Sequence, residues 1–315
     1  MCAAVLPSWH DAQRMQSKAS IVIEGLSGTG KSGLALLIAR ALADGWDKVF
    51  AVDSENRSLD LFEGLTLSDG TSCEPFKKVD LLPDAGYAPS NFLALRESAI
   101  EAGAQVFVQD STSHAWVANG GVLEQVSVLE AKNTKLNKFN AWGQPEVMNE
   151  KNNLVTMIRD NRVHVISTVR LKEKFEMITG EGVHSIGEQQ IMQADMKYEP
   201  DLLLRMVKPG TPDGEPPMAK VMKTRYAILR KDQTYAFTPE LLAQIKEYLA
   251  EGADPAVLLE RQRTDYVTSI TDILKNDTSK QTSFRMLKRS KQIADDVKLS
   301  DMSLELLQEF YKQLV

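Results

Sequence analysis

GLSGTGKS, residues 25–32, lies between a short apolar run, SIVIE (20–24), and a segment, Gly33–Asp44, with apolar residues at helical spacing. Strand, glycine-rich turn and helix in that order are the context in which the pattern G-x-x-x-x-G-K-[ST] cradles phosphate. Gly25, Gly28 and Gly30 permit the backbone angles that turn successive N–H groups inward. The helix N-terminus that follows favours negative charge. Ser27, Thr29 and Gly33 complete the cradle, Lys31 reaches the β- and γ-phosphates as a point charge, and the Ser32 hydroxyl is placed to ligate Mg²⁺. The expected ligands are therefore ATP and Mg²⁺. A glycine-rich turn with no ligand is the plain alternative.

Further apolar runs flank this loop. Lys48–Val52 (KVFAV) ends at Asp53-Ser54-Glu55, and Gln105–Gln109 (QVFVQ) ends at Asp110. Val163–Thr168 (VHVIST) and Leu202–Val207 read as two more strands; Lys220–Arg230 with Thr234–Phe237 reads as a hairpin. Between them, 88–103 has a helical pattern, and 121–162 is mainly helical with breaks near Gly143 and Pro145. Strands alternating with helices predict an α/β fold with a mostly parallel central sheet covered on both faces. After Pro239 only helical patterns follow. The expected division is an irregular lead-in (1–19), an α/β domain (20–261) and a small helical C-terminal module (262–315).

A buried strand ending in aspartate suits a Mg²⁺ ligand, so Asp110 is paired with Ser32 as the metal site; a helix cap is its bland reading. Hydrolysis also needs a group that orients water and takes its proton. Glu55 is placed for this, with Asp53 as competitor and Glu24 as a further candidate. Ser167, Thr168, Arg170 and Lys172 follow the fourth strand, where ligands of parallel sheets collect. Lys223 and Arg225, two apart on a strand, share a face and can clamp a neighbour's phosphates. A solvated, charge-protected edge strand explains them equally well.

The chain has 315 residues and a net charge of −6, which excludes a generally basic nucleic-acid binder but not local patches. One such patch is Lys132, Lys135 and Lys138, near Trp116, Phe139 and Trp142; lysines with aromatics suit single-stranded nucleic acid. A glycine-containing loop from Lys172 to Gln193, expected to be mobile, is another. A third is Lys275, Lys280, Arg285, Lys288, Arg289 and Lys291 against Asp277, which suits DNA or an acidic partner. Each is also explained as a solvated face. Two cysteines, Cys2 and Cys73, give no disulfide framework and point to a reducing cytoplasm. The four histidines show no metal spacing, and His164 is expected to be structural. No run reaches the ~20 apolar residues that span a membrane.

The segments GLSGTGKS (25–32), VDSE (52–55), VQDSTSHAW (108–116), HVISTVRLK (164–172) and KTRYAILRK (223–231) together resemble the RecA-like ATPases. More closely, DSTSHAW followed by GGVLE is similar to phage-encoded AAA-type ATP-binding proteins, some of which act as recombinases or single-strand annealing partners. The resemblance spans about 20–240 and implies a RecA-like P-loop NTPase core. It implies Glu55 as catalytic base, Asp110 on the metal, and Thr168 as the γ-phosphate sensor, where the family usually has glutamine. It implies that Lys223 and Arg225 reach ATP on a neighbouring subunit of a homo-oligomer, ring or filament. Two DNA loops would follow Ser111 and Lys172. DNA-stimulated ATP hydrolysis in phage recombination or replication, in the host cytoplasm, is the function so implied. A small-molecule kinase and a low-turnover adaptor or helicase loader, recruiting a partner through 262–315, are the alternatives.

Overall fold

The computed structural model describes residues 12–132, 138–178, 182–211 and 214–314. Its strands are β1 (Ser20–Gly25), β2 (Val49–Asp53), β3 (Lys77–Asp80), β4 (Val106–Asp110), β5 (His164–Ile178), β6 (Gly182–Gln190), β7 (Leu202–Lys208), β8 (Met218–Thr224) and β9 (Thr234–Ala236). Helices are α1 (Lys31–Leu42), α2 (Pro89–Glu101), α3 (Ser113–Val117), α4 (Val122–Lys132), α5 (Lys138–Trp142), α6 (Pro145–Met157) and α7 (Pro239–Ala250). The strands form one sheet in the order β3-β2-β4-β5-β1-β7-β8-β9, with β6 paired to β5. The pairings from β3 across to β7 are parallel; β7·β8, β8·β9 and β5·β6 are antiparallel. This is the mixed α/β architecture with a mostly parallel sheet that the alternating pattern predicts.

Alternation along the strands builds two cores. Ile21 and Ile23 of β1, Val106 and Val108 of β4 and Ile166 of β5 join Leu34, Leu37 and Ile38 of α1 on one face. Val22, Phe107 and Val165 join Phe92 of α2 and Leu154 of α6 on the other. Both faces are therefore buried, which is why these strands read as unbroken apolar runs.

Two elements differ from expectation. β3 is absent from the sequence reading: KKVD is short, charged and alternates exposed with half-buried positions at the sheet edge. The stretch after Lys172, expected as a mobile loop, continues β5 and returns as β6 in an antiparallel hairpin. Its charged residues, Lys172, Glu173 and Lys174, mask the strand signal, because a hairpin projecting from a sheet needs no apolar run.

The chain divides into two compact units, Ser17–Leu249 and a second one that takes Ala250–Val315 together with the chain before Ser17. The sequence places this boundary at 261/262. Of the lead-in, residues 1–11 lie outside the described residues, and Met15 bridges Ala253. In the second unit α8 (Pro255–Asn276), α9 (Thr278–Ser290) and α10 (Leu304–Leu314) pack around Ile270, Met302, Leu307 and Phe310. Asp254 and Asp277 start α8 and α9 by accepting the N–H groups of Ala256 and Ser279. The basic segment is not one free face: Lys288 is buried, its ammonium donating to the carbonyls of Asp295 (3.0 Å) and Val297 (2.6 Å).

Candidate nucleotide site

The period of two along a strand decides which side chains meet. Val106 and Val108 of β4 pack on the α1 side, so Asp110 points there too. Thr168 follows Ile166 of β5 on that same side. Ser32 occupies the first turn of α1. The three converge: Ser32 Oγ donates to Asp110 Oδ2 at 2.6 Å, and Thr168 Oγ1 donates to Asp110 Oδ1. The strand tips are fixed by backbone bonds, Ser54 N–H to Asp110 O (2.7 Å) and Thr112 N–H to Thr168 O (3.0 Å). The Asp110–Ser111 peptide is cis.

The Asp110 carboxylate is 1% exposed and hydrogen-bonded by two neutral hydroxyls, with the Lys31 ammonium as the cation whose charge it feels. Hydroxyl and carboxylate oxygens are the donors Mg²⁺ prefers. The residues present therefore fit Mg²⁺ held by Ser32 and Asp110. Among the described residues there is no cluster of three or more His, Cys, Asp or Glu that suits another metal.

The loop itself has the shape of a phosphate cradle. Gly28 and Gly30 have φ of +75° and +86°, a region that side-chain-bearing residues rarely adopt. A Cβ on Gly30 would also lie 2.7 Å from that of Pro209. Lys31 Nζ and Thr29 Oγ1 both donate to Leu26 O, at 2.9 and 2.8 Å. Burial lowers the pKa of Lys31; Asp110 opposes the shift and Arg170 adds to it. Ser27 is exposed at the loop tip, and Gly25 ends β1. Beside Gly30 and Gly33 opens a cavity of about 170 Å³, walled by Phe62, Leu65, Pro209 and Pro217.

The candidate bases separate by their partners. Asp53 stands in register with Asp110, and its two oxygens accept the N–H groups of Glu55 and Leu59, each at 2.8 Å. Burial raises its pKa; the Leu59 N–H counteracts this and Asp110 adds to it. Asp53 thus shapes the turn that presents Glu55. Glu24 shares a face with Val22, away from α1, and is held by Arg205 (2.6 Å) and Gln190. Glu55 is gripped by Arg170, whose Nε donates to Oε1 at 2.6 Å while a terminal nitrogen reaches Oε2. The sequence reading gave Arg170 no partner. It also missed His114, whose Nδ1 lies 2.7 Å from Ser54 Oγ and whose pKa burial holds down.

Lys223 and Arg225 are brought together, but not beside this chain's phosphate loop contacts. Lys223 donates to the carbonyls of Tyr198 and Pro200 (the latter 2.6 Å), and Arg225 to Asp201 at 2.9 Å. Lys223 also lines a cavity of about 650 Å³ with Lys197, Arg205, Lys231 and Glu188. Of the candidate nucleic-acid contacts, Trp116 and Trp142 stack on each other at 5.9 Å and are half-buried. Lys132 is exposed; Lys135 and the side chains of Lys138 and Phe139 lie outside the described residues. His164 is structural: its Nδ1 accepts the Ala19 N–H at 2.8 Å.

A glycine-rich loop entering a helix, with a hydroxyl and a strand-tip carboxylate meeting beside its lysine, defines a P-loop nucleotide-binding protein. The family model of the AAA domain matches residues 17–236, and the chain belongs to this family. The AAA domain is a nucleotide-dependent ATPase class. No curated protein matches the chain. Among the described residues no helix is long and apolar enough to cross a membrane.

Proposed function

We propose that the protein is a Mg²⁺-dependent ATPase of RecA-like type that acts on single-stranded DNA in phage recombination or replication, as a homo-oligomer in the host cytoplasm. The observation that carries the ATPase reading is the meeting of Ser32, Asp110 and Thr168 beside the phosphate loop. The DNA part rests on the RecA-like resemblance of the five segments quoted above, and the phage part on DSTSHAW followed by GGVLE.

Loop amides and the α1 N-terminus hold the triphosphate, and Lys31 exchanges the Leu26 carbonyl for phosphate oxygens. Mg²⁺, when bound by Ser32 and Asp110, neutralises charge on the phosphates. Thr168 keeps Asp110 oriented, and Glu55 orients the attacking water and takes its proton. The apolar cavity between Phe62 and Pro209 takes the nucleobase. Lys223 and Arg225, on a surface away from these contacts, serve the ATP of a neighbouring subunit. The α8–α10 unit offers a surface for a protein partner.

ATP turnover with Mg²⁺, with and without single-stranded DNA, tests this. Stimulation by DNA is expected, together with a Glu55→Gln variant that binds ATP without cleaving it. Turnover indifferent to DNA from a chain that stays monomeric with ATP would remove the DNA and oligomer parts. Turnover unaffected by Glu55→Gln would remove the assigned base.

A further inference from the structure

Arg170 is the last residue of β5 in register with β1, and its Cα pairs with Gly25, the first residue of the phosphate loop. Its N–H donates to Ser113 Oγ at 2.9 Å, which anchors the backbone. By alternation it lies on the Thr168 side of the sheet, the side of α1 and the loop. Its charge is felt by Lys31, whose pKa it helps to lower after burial and against Asp110. From this place its guanidinium occupies both oxygens of Glu55. A carboxylate held in such a fork has a charge-assisted donor on each of its oxygens, and its orientation is set by the guanidinium. Thr168, the residue at the sensor position, is meanwhile engaged with Asp110.

We propose that Arg170 is a positioning residue shared between Glu55 and the terminal phosphate. Without a triphosphate it holds Glu55 away from water. With one, the guanidinium moves to the more highly charged γ-phosphate and releases Glu55 to orient the nucleophile. A diphosphate has no group to compete for the fork, so the clamp stays shut. Arg170 thereby makes both affinity and hydrolysis depend on the third phosphate. This rests on the ATPase reading above.

The competition is measurable without turnover. The full-length chain, in Mg²⁺, is titrated with a fluorescent non-hydrolysable ATP analogue and with fluorescent ADP, for wild type, Arg170→Ala, Glu55→Gln and the double variant. Arg170→Ala is expected to lose about 10-fold in analogue affinity and to leave ADP affinity nearly unchanged. Glu55→Gln, which weakens the competitor, is expected to gain several-fold for the analogue, and that gain should vanish in the Arg170→Ala background. Arg170→Lys, which keeps the charge and loses the fork, should recover part of the affinity. Equal losses for ADP and analogue in Arg170→Ala would overturn the proposal. So would a Glu55→Gln gain as large or larger without Arg170, which signals simple removal of a repelling charge. A wild-type chain that binds neither nucleotide would instead refute the ATPase reading itself.

Discussion

The strand tips around Asp110 and the end of β8, with Lys223 on the strand and Arg225 just after it, both hold charged groups, but in opposite conditions. Asp110, Thr168 and Ser32 come from three elements, are largely buried and are satisfied by one another. Lys223 and Arg225 are part-exposed and lean on carbonyls and a carboxylate of the adjacent Tyr198–Asp201 segment. The first arrangement is preorganised, so its groups do not need to move to act. The second must leave its present partners to do anything else. Substitutions should therefore have large effects on chemistry at the first and small effects on stability at the second.

The sharpest break of this contrast is Asp110→Asn. The shape is kept, the negative charge is lost, and one of the two hydroxyls of Thr168 and Ser32 now faces an amide NH2 and must turn to accept from it. ATP turnover is expected to fall about a hundredfold or more, with a partial recovery at high Mg²⁺. Turnover and a Mg²⁺ titration measure both. If turnover stays within a few-fold of wild type, the preorganised cluster is structural and the contrast collapses.

The parity of the strands shows how much of this site could be read without coordinates. QVFVQD and VHVIST each place their last residue on the side of the preceding even-numbered apolar residues, Val108 and Ile166. That count groups each tip residue with its own side of the strand; because both sides are apolar and buried, the side that meets α1, and the opposite side for Glu24, come from the packing. The Arg170–Glu55 fork does not follow from the count either. The two residues are 115 positions apart, and no local pattern tells an arginine which of several nearby carboxylates it will take. Asp53, the competitor to Glu55, shows a related limit: an aspartate at a strand end reads as chemistry, and the sequence does not say that its oxygens accept backbone N–H groups. The β5–β6 hairpin was illegible because strand signals are apolar signals, and this ribbon mixes charged residues on its outgoing arm with glycine and uncharged polar residues on its return.

Loss of activity can also come from a loosened sheet, and His164 separates that from chemistry at the tips. It sits at the start of β5, and burial, with Lys18 and Lys246 nearby, lowers its pKa to about 3. An unfolded histidine titrates near 6.5. Between those values the unfolded chain takes up a proton that the folded chain refuses, so stability falls as pH drops below about 6.5. The slope contributed is up to about 1.4 kcal/mol per pH unit. His164→Asn keeps an acceptor for the Ala19 N–H and removes the titration. Its melting temperature should depend less on pH between 6.5 and 4 than that of wild type. Parallel curves would show that His164 is protonated in the fold or that other groups set the acid limit.

The smallest expected effect belongs to the second region. Arg225→Ala removes an ion pair with Asp201 whose arginine is 49% exposed, and such pairs contribute about 0–1 kcal/mol. Lys223→Ala frees the carbonyls of Tyr198, at an exposed position, and of Pro200. Melting temperatures should hardly move, while turnover in the assembled protein should fall if these cations act on a neighbour's ATP. Mixing Lys223→Ala chains with Lys31→Ala chains then supplies intact loops from one and intact cations from the other. Turnover in the mixture above that of either alone is the expected result. No recovery, with both variants folded, would leave the pair as a surface tie, and a melting temperature lowered by many degrees would make it a structural one. Either result redraws the contrast, because a group bound where it already rests has no reason to wait for a partner.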